Sequence, residues 1–314
     1  MISVNYIQND NILLKMEEMY QESEDFFQDH MSELDYLSEK VSTATMFSES
    51  VDVYEESVKD AITSIGKKII EIVDRCIKFI QEKIGQFTHY IWTLKDEEKV
   101  LRQLEKKRPD IASQVRAAVK EDKIKLNNFR DLSSFYREID ATLNEIDKMD
   151  AKSARARMIK AKNALNKSAD VIIKVGAVAS AAVAMNKFKE KFFKETFIES
   201  GSDDKTVSIS FKNVLEFMSK NGKKDNELSQ MQEASKKMGD KLKKASKDSM
   251  LVKESTELSP ETMKKIRNRE SVITILTTEY EKVTNEVITK RIKGNMTMFG
   301  IANKMKNQFK GVEI

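Results

Sequence analysis

Residues 65–84 read IGKKIIEIVDRCIKFIQEKI. Around this run Val58, Ile62, Ile65, Ile69, Val73, Cys76, Ile80, Ile84, Phe87, Ile91 and Leu94 return every three or four positions, which is the period of one face of an α-helix. Ile70, Ile77 and Phe79 widen the stripe beyond a coiled-coil seam, so the helix predicted over 51–94 needs apolar neighbours on more than one side. Lys67, Lys68, Arg75, Lys78 and Lys83, interleaved with Glu71, Asp74 and Glu82, make up the remaining face. Such a helix belongs at the centre of a bundle. The other setting open to a basic amphipathic helix is a membrane surface.

The rest of the chain fits the bundle. Its 314 residues include only 2 prolines and 9 glycines, with 34% charged and 40% hydrophobic residues. So few breakers leave little room for the loops of a turn-rich β or doubly wound α/β fold, while the apolar share is enough for real cores. The predicted class is all-α: an elongated multi-helix bundle of long amphipathic helices. At most a minor β element is expected near 206–211, where Val207, Ile209 and Phe211 alternate.

Working outward, an acidic amphipathic helix is predicted over 8–40. The central helix continues as a charged one from Lys95 to Lys107, until Arg108-Pro109-Asp110 breaks it. Further helices are predicted over 110–121, 128–149 and 151–167, a short one over Val214–Met218 ending near Asn221-Gly222, and a Lys-rich one over 226–249. Ser259-Pro260-Glu261 is a good start signal, with Ser at the N-cap and Pro at the first helical position. That helix is predicted to run to Lys293, with Gly294 as punctuation before a last basic helix reaching Lys310. The segment DVIIKVGAVASAAVAM, residues 170–185, is predicted to pack inside the bundle, because Gly176, Ser180 and Ala184 stand four apart and give a flat face for a close neighbour. With about eleven uninterrupted apolar residues it is half a membrane span.

Charge divides the chain. Residues 1–57 carry two lysines, Lys15 and Lys40, against fourteen carboxylates, a net of −12; residues 58–314 carry a net of +16, and the total is +4. An acidic head on a basic body can mask a polyanion-binding surface, in cis or in a partner. The small, hydroxyl-rich stretch STATMFSES, residues 42–50, reads as the hinge between them. The candidate polyanion contacts are Lys152, Arg155, Arg157, Lys160 and Lys162, in a 151–167 segment without an acid, and Lys236, Lys237, Lys243 and Lys244 in the Lys-rich helix. No stacking aromatics accompany them, so the pattern points to non-specific phosphate contact rather than base readout. A merely solvated face is the plain alternative.

No motif carries catalysis, a cofactor or a metal. The two histidines, His30 and His89, lie far apart in sequence, and neither has a ligand-spaced neighbour. Cys76 and His89 are thirteen residues apart on one predicted helix, about 20 Å at the helical rise, too far for a nucleophile and its base. Ala61 to Lys68, AITSIGKK, is an accidental phosphate-loop look-alike: its first glycine and its Ser/Thr are missing, and it lies mid-helix. A lone cysteine excludes an intrachain disulfide and suggests a reducing compartment or an assembly that does not rely on disulfides. The start MISVNYIQNDNILL lacks the features of a secretory signal, and no apolar run approaches the ~18 residues of an ordinary membrane helix.

The hinge TATMFSES (residues 43–50), the unbroken helix IGKKIIEIVDRCIKFIQEKI and the long Lys-rich body that follows the acidic head resemble the internal head or ejected virion proteins of tailed bacteriophages. The resemblance implies a non-enzymatic, basic, helical structural protein of the phage particle, assembled in the bacterial cytoplasm. It implies partners among other virion proteins or copies of itself, with non-specific DNA contact. Some members lose an acidic propeptide, and Glu49-Ser50 resembles such a processing site. The alternative is a membrane-active, pore-forming helical protein that inserts residues 170–198. The expected organisation is an acidic segment with hinge (1–50), a main helical bundle (51–200), a loop with a short helix (201–225) and a basic C-terminal helical region (226–314).

Overall fold

In a computed structural model the described residues are 14–26, 28–30, 32, 33, 36, 39, 55–120, 125–126, 129–167, 170–171, 206–221, 225–254 and 260–309. The described residues between 14 and 39 are helical and are called α1. There follow α2 (Glu55–Lys107), α3 (Pro109–Gln114), β1 (Arg116–Lys120), β2 (Lys125–Leu126), α4 (Phe129–Asn144), a 3-10 turn (Ile146–Lys148), α5 (Ala151–Lys167), β3 (Asp170–Val171), β4 (Thr206–Ser210), α6 (Phe211–Asn221), α7 (Asp225–Glu254) and α8 (Pro260–Asn307). The fold is all-α, with two small antiparallel ladders.

The apolar stripe of α2 is buried as its spacing requires: Ile69, Ile72, Val73, Cys76 and Ile80 are shut off from solvent. Each fully buried branched side chain contributes roughly 1.5–3 kcal/mol. A second long helix shares the centre. Along α8, Val272, Ile273, Leu276, Tyr280, Val283 and Val287 are all fully buried, and the helix packs against α2, α4, α5, α6 and α7. From α4 come Leu132, Phe135, Tyr136 and Ile139, and from α5 the seam of Ala154, Met158 and Leu165. Asp150 caps α5, accepting a 2.6 Å hydrogen bond from the Ser153 N–H, which satisfies one otherwise orphaned donor.

Helices α2 and α7 approach closely at two glycines. A methyl group built on Gly66 would lie 2.8 Å from the Met250 sulfur, and one on Gly239 would lie 2.7 Å from Ile77 Cδ1 and 3.0 Å from Val73 Cγ1. The Ser246 hydroxyl donates to the Gly66 carbonyl at 3.3 Å across the same contact.

Four sequence expectations are corrected. The stretch 110–121 is not one helix: it is helical only to Gln114, Val115 turns extended at ψ 128°, and β1 pairs with β4 from Arg116↔Ser210 to Lys120↔Thr206. The ladder carries Ala117 and Ile209 into the core, and the side-chain amide of Gln308 donates to the Arg116 carbonyl at 2.9 Å. The helix expected over 128–149 ends at Asn144, and a separate 3-10 turn follows. Gly294 does not punctuate: α8 runs through it to Asn307, because buried Ile292 on one side and Phe299, Ile301, Ala302 and Met305 on the other anchor the helix against a glycine cost of about 1 kcal/mol. Asp170 and Val171, the start of the expected 170–185 helix, form a strand with Lys125 and Leu126. Residues 172–198 lie outside the described residues, as do Glu49 and Ser50.

Candidate functional site

The basic candidates divide into two groups. Arg157, Lys162 and Lys243 are committed to holding helices together. The Arg157 guanidinium donates to Glu138 at 3.1 Å and to Glu145 at 2.8 Å, joining α5 to α4 and its C-terminal turn; these bonds raise its already high pKa. Lys162 pairs with Glu286 of α8 at 3.3 Å. Lys243 bridges Asp74 of α2 at 2.7 Å and Asp240 at 2.9 Å. Burial works against its charge, but the two carboxylates still hold its pKa above the ordinary value. Lys152, Arg155 and Lys160 on α5, and Lys236, Lys237 and Lys244 on α7, are exposed. Lys237 makes a surface pair with Glu233 at 2.6 Å, the kind of one-turn contact that contributes a few tenths of a kcal/mol.

Helix α4 stands between these two basic helices and supplies acids to both. Asp140 takes Lys241 of α7 at 2.6 Å, as Glu138 takes Arg157 of α5. The cationic surface is therefore two rows, one on α5 and one on α7, flanking an acidic strip on α4. On α5 the row surrounds Ile159, which is 53% exposed.

The acidic head meets the body along α2. Met16, Met19, Ser23 and His30 point inward and are buried. The Phe26 ring stacks between His30, at 3.9 Å between centroids, and Phe79 of α2, at 4.0 Å. Charge closes both ends: Glu22 pairs with Lys83, whose side chain is only 4% exposed, and Glu33 makes a two-pronged contact with Arg75 and lies 3.6 Å from Lys68. The Arg75 hydrogen bond holds the Glu33 carboxyl below its usual range. Burial, and then the Arg75 charge, push the His30 imidazole below its usual 6.5, so at neutral pH it is uncharged.

Behind Arg75 the core is polar. The Tyr136 hydroxyl lies 2.7 Å from both Ser235 Oγ and Thr284 Oγ1, and Tyr280 donates to the Ser235 carbonyl at 2.9 Å. These bonds tie α4, α7 and α8 with neutral groups. Glu281 sits beside them with neither carboxylate oxygen hydrogen-bonded; burial raises its pKa to about 8, with the Arg75 charge opposing. At the far end Lys306 of α8 and Glu97 of α2 form an ion pair with both partners buried.

Burial drives the Cys76 thiol far above its ordinary pKa, so the thiolate a nucleophile needs is not formed. Among the described residues no three His, Cys, Asp or Glu side chains are grouped to hold a metal, and no helix is long and apolar enough to cross a membrane. Sequence reasoning found the basic helices but not the acids that neutralise part of them, and it missed Glu281; the charge count and the amphipathic pattern of 8–40 were the signals for the head–body contact. Comparisons with family models, curated proteins and solved structures find no match for this chain.

Proposed function

We propose that the chain is a non-enzymatic structural protein of a tailed-phage particle that associates non-specifically with packaged DNA through the exposed rows of α5 and α7. The observation that supports this reading is the exposure of Lys152, Arg155 and Lys160 and of Lys236, Lys237 and Lys244. Arg157, Lys162 and Lys243, engaged in ion pairs within the fold, are left out of the binding set. Phosphate contact by ammonium and guanidinium groups carries no sequence information by itself.

A salt titration of duplex binding tests the DNA role. Each phosphate contact contributes roughly −0.9 to the slope of log affinity against log salt. Replacing Lys152, Arg155 and Lys160 together with Gln should lower the slope's magnitude by about 2–3, and Lys162→Gln should leave it nearly unchanged. Affinity that does not vary with salt refutes the DNA role. Mass spectrometry of purified particles tests the virion location, and absence from the particle refutes it.

A further inference from the structure

We propose that the face of α2 bearing Lys68, Arg75, Phe79 and Lys83 is a helix-docking surface, and that its second occupant is α1 of another copy of this chain. The inference stands on the α1–α2 contact alone and does not depend on DNA binding.

The receiving face is built for one kind of partner. Phe79 is 7% exposed beneath the Phe26 ring, and the Lys83 side chain is 4% exposed beneath α1. Uncovered, this strip would show an aromatic ring among three cations. Its complement is an amphipathic helix with an apolar inner face and carboxylates about three turns apart, as Glu22 and Glu33 are on α1. The fit is both apolar and electrostatic, so it selects against helices that match only one part.

Charge makes heads and bodies mutually attractive whichever chain they belong to. The −12 of residues 1–57 repels another head, and the +16 of residues 58–314 attracts one. Length permits the exchange. Residues 40–54 join α1 to α2, and fifteen residues reach up to about 50 Å when extended, so the covalent link does not confine α1 to its own α2. A short tether gives the chain's own head an effective concentration on the millimolar scale, so exchange competes when copies are crowded to a similar level. Reciprocal exchange closes as a two-fold dimer.

Two charge-reversed chains test the proposal. One carries Glu33→Arg and the other Arg75→Glu, so each has a head mismatched to its own body, while each head matches the other chain's body. Analytical ultracentrifugation should find each variant monomeric alone and a doubled mass in the equimolar mixture, with the dimer dissolving in about 0.5 M salt. A mixture that remains monomeric, while circular dichroism reports both chains helical and cooperatively melting, overturns the proposal. If either variant fails to fold, the wild-type chain decides. A salt-sensitive dimer growing in toward about 1 mM supports exchange, and a monomer throughout that range refutes it.

Discussion

The α1–α2 seam and the α4–α7–α8 seam both use polar side chains to join helices, with opposite chemistry. The first is held at its edges by full charges, and the Glu33 and Arg75 side chains are 33% and 42% exposed. The second uses neutral hydroxyls and a phenol shut away from water, with Tyr136, Ser235, Thr284 and Tyr280 each no more than 4% exposed. Ions near water are screened and exchangeable. A buried network of hydroxyls keeps its full value only while every member is satisfied. The fold thus has a permanent joint and a detachable one.

Removing an anchor of the permanent joint should have the largest effect. Tyr280→Ala deletes a fully buried ring, its tilted contact with Tyr136 at 5.6 Å and the bond to the Ser235 carbonyl. A loss of about 3–5 kcal/mol is expected, read as a lower urea midpoint. A change below about 1 kcal/mol would mean that the site collapses around the gap.

Glu281 should give the next effect, through pH. Its folded pKa, about 8, lies above the ordinary 4.5, so the protonated acid is favoured in the native state. Its stabilising effect is complete below about pH 4.5 and is lost as pH rises through 8, a swing on the order of 3–5 kcal/mol. His30 works in the opposite direction, being held below 6.5, and the Cys76 thiol, whose ordinary value is 9.0, adds to the decline only at higher pH, so denaturant melts from pH 6.5 to 8 report on Glu281. Glu281→Gln should flatten that decline, whatever it does to absolute stability. An unchanged slope would show that Arg75 keeps the carboxylate ionised.

At the close crossing of α2 and α7, Gly239→Leu should cost roughly 1–3 kcal/mol by overpacking against Val73 and Ile77. This contact also shows where the sequence stopped being informative. The stripe of α2 was legible because one helical period runs through dozens of its residues. The crossing glycines gave no such signal. A lone Gly66 or Gly239 in a charged helix looks like a mild helix weakener until a second helix is laid on it. The segment that did advertise a flat small-residue face, around Gly176, lies outside the described residues. Strand β1 was missed because Arg116-Ala-Ala-Val-Lys120 has composition as compatible with helix as with strand, and only its pairing with β4 decides. The charge division was legible, but which cations remain available was not. That depends on Glu138, Asp140 and Asp74 reaching across from neighbouring helices, which is a property of topology.

The smallest energetic effect should fall on the detachable joint, and its location distinguishes the two seams. Glu33→Gln removes the carboxylate from Arg75 and Lys68 while keeping the shape of the side chain. Pairs this exposed contribute about 0.2–1 kcal/mol, so the global urea midpoint should barely move. Amide exchange in residues 14–39 should quicken, because local opening of α1 needs only the head contacts to part. Raising salt from about 0.05 to 0.5 M should do the same to the wild-type chain by screening the exposed Glu33–Arg75 end of the contact, with the α4, α7 and α8 amides unchanged. Acid should act in the same direction. As pH falls below 6.5, His30 takes up a proton beside Arg75, with Glu33 and Asp29 only partly offsetting the repulsion, and below 4.5 Glu33 begins to lose the charge that Arg75 holds. If salt, acid and Glu33→Gln all leave α1 exchange as slow as that of α8, the apolar face of Met16, Met19 and Phe26 alone fastens the head, and the contrast between the two joints is wrong.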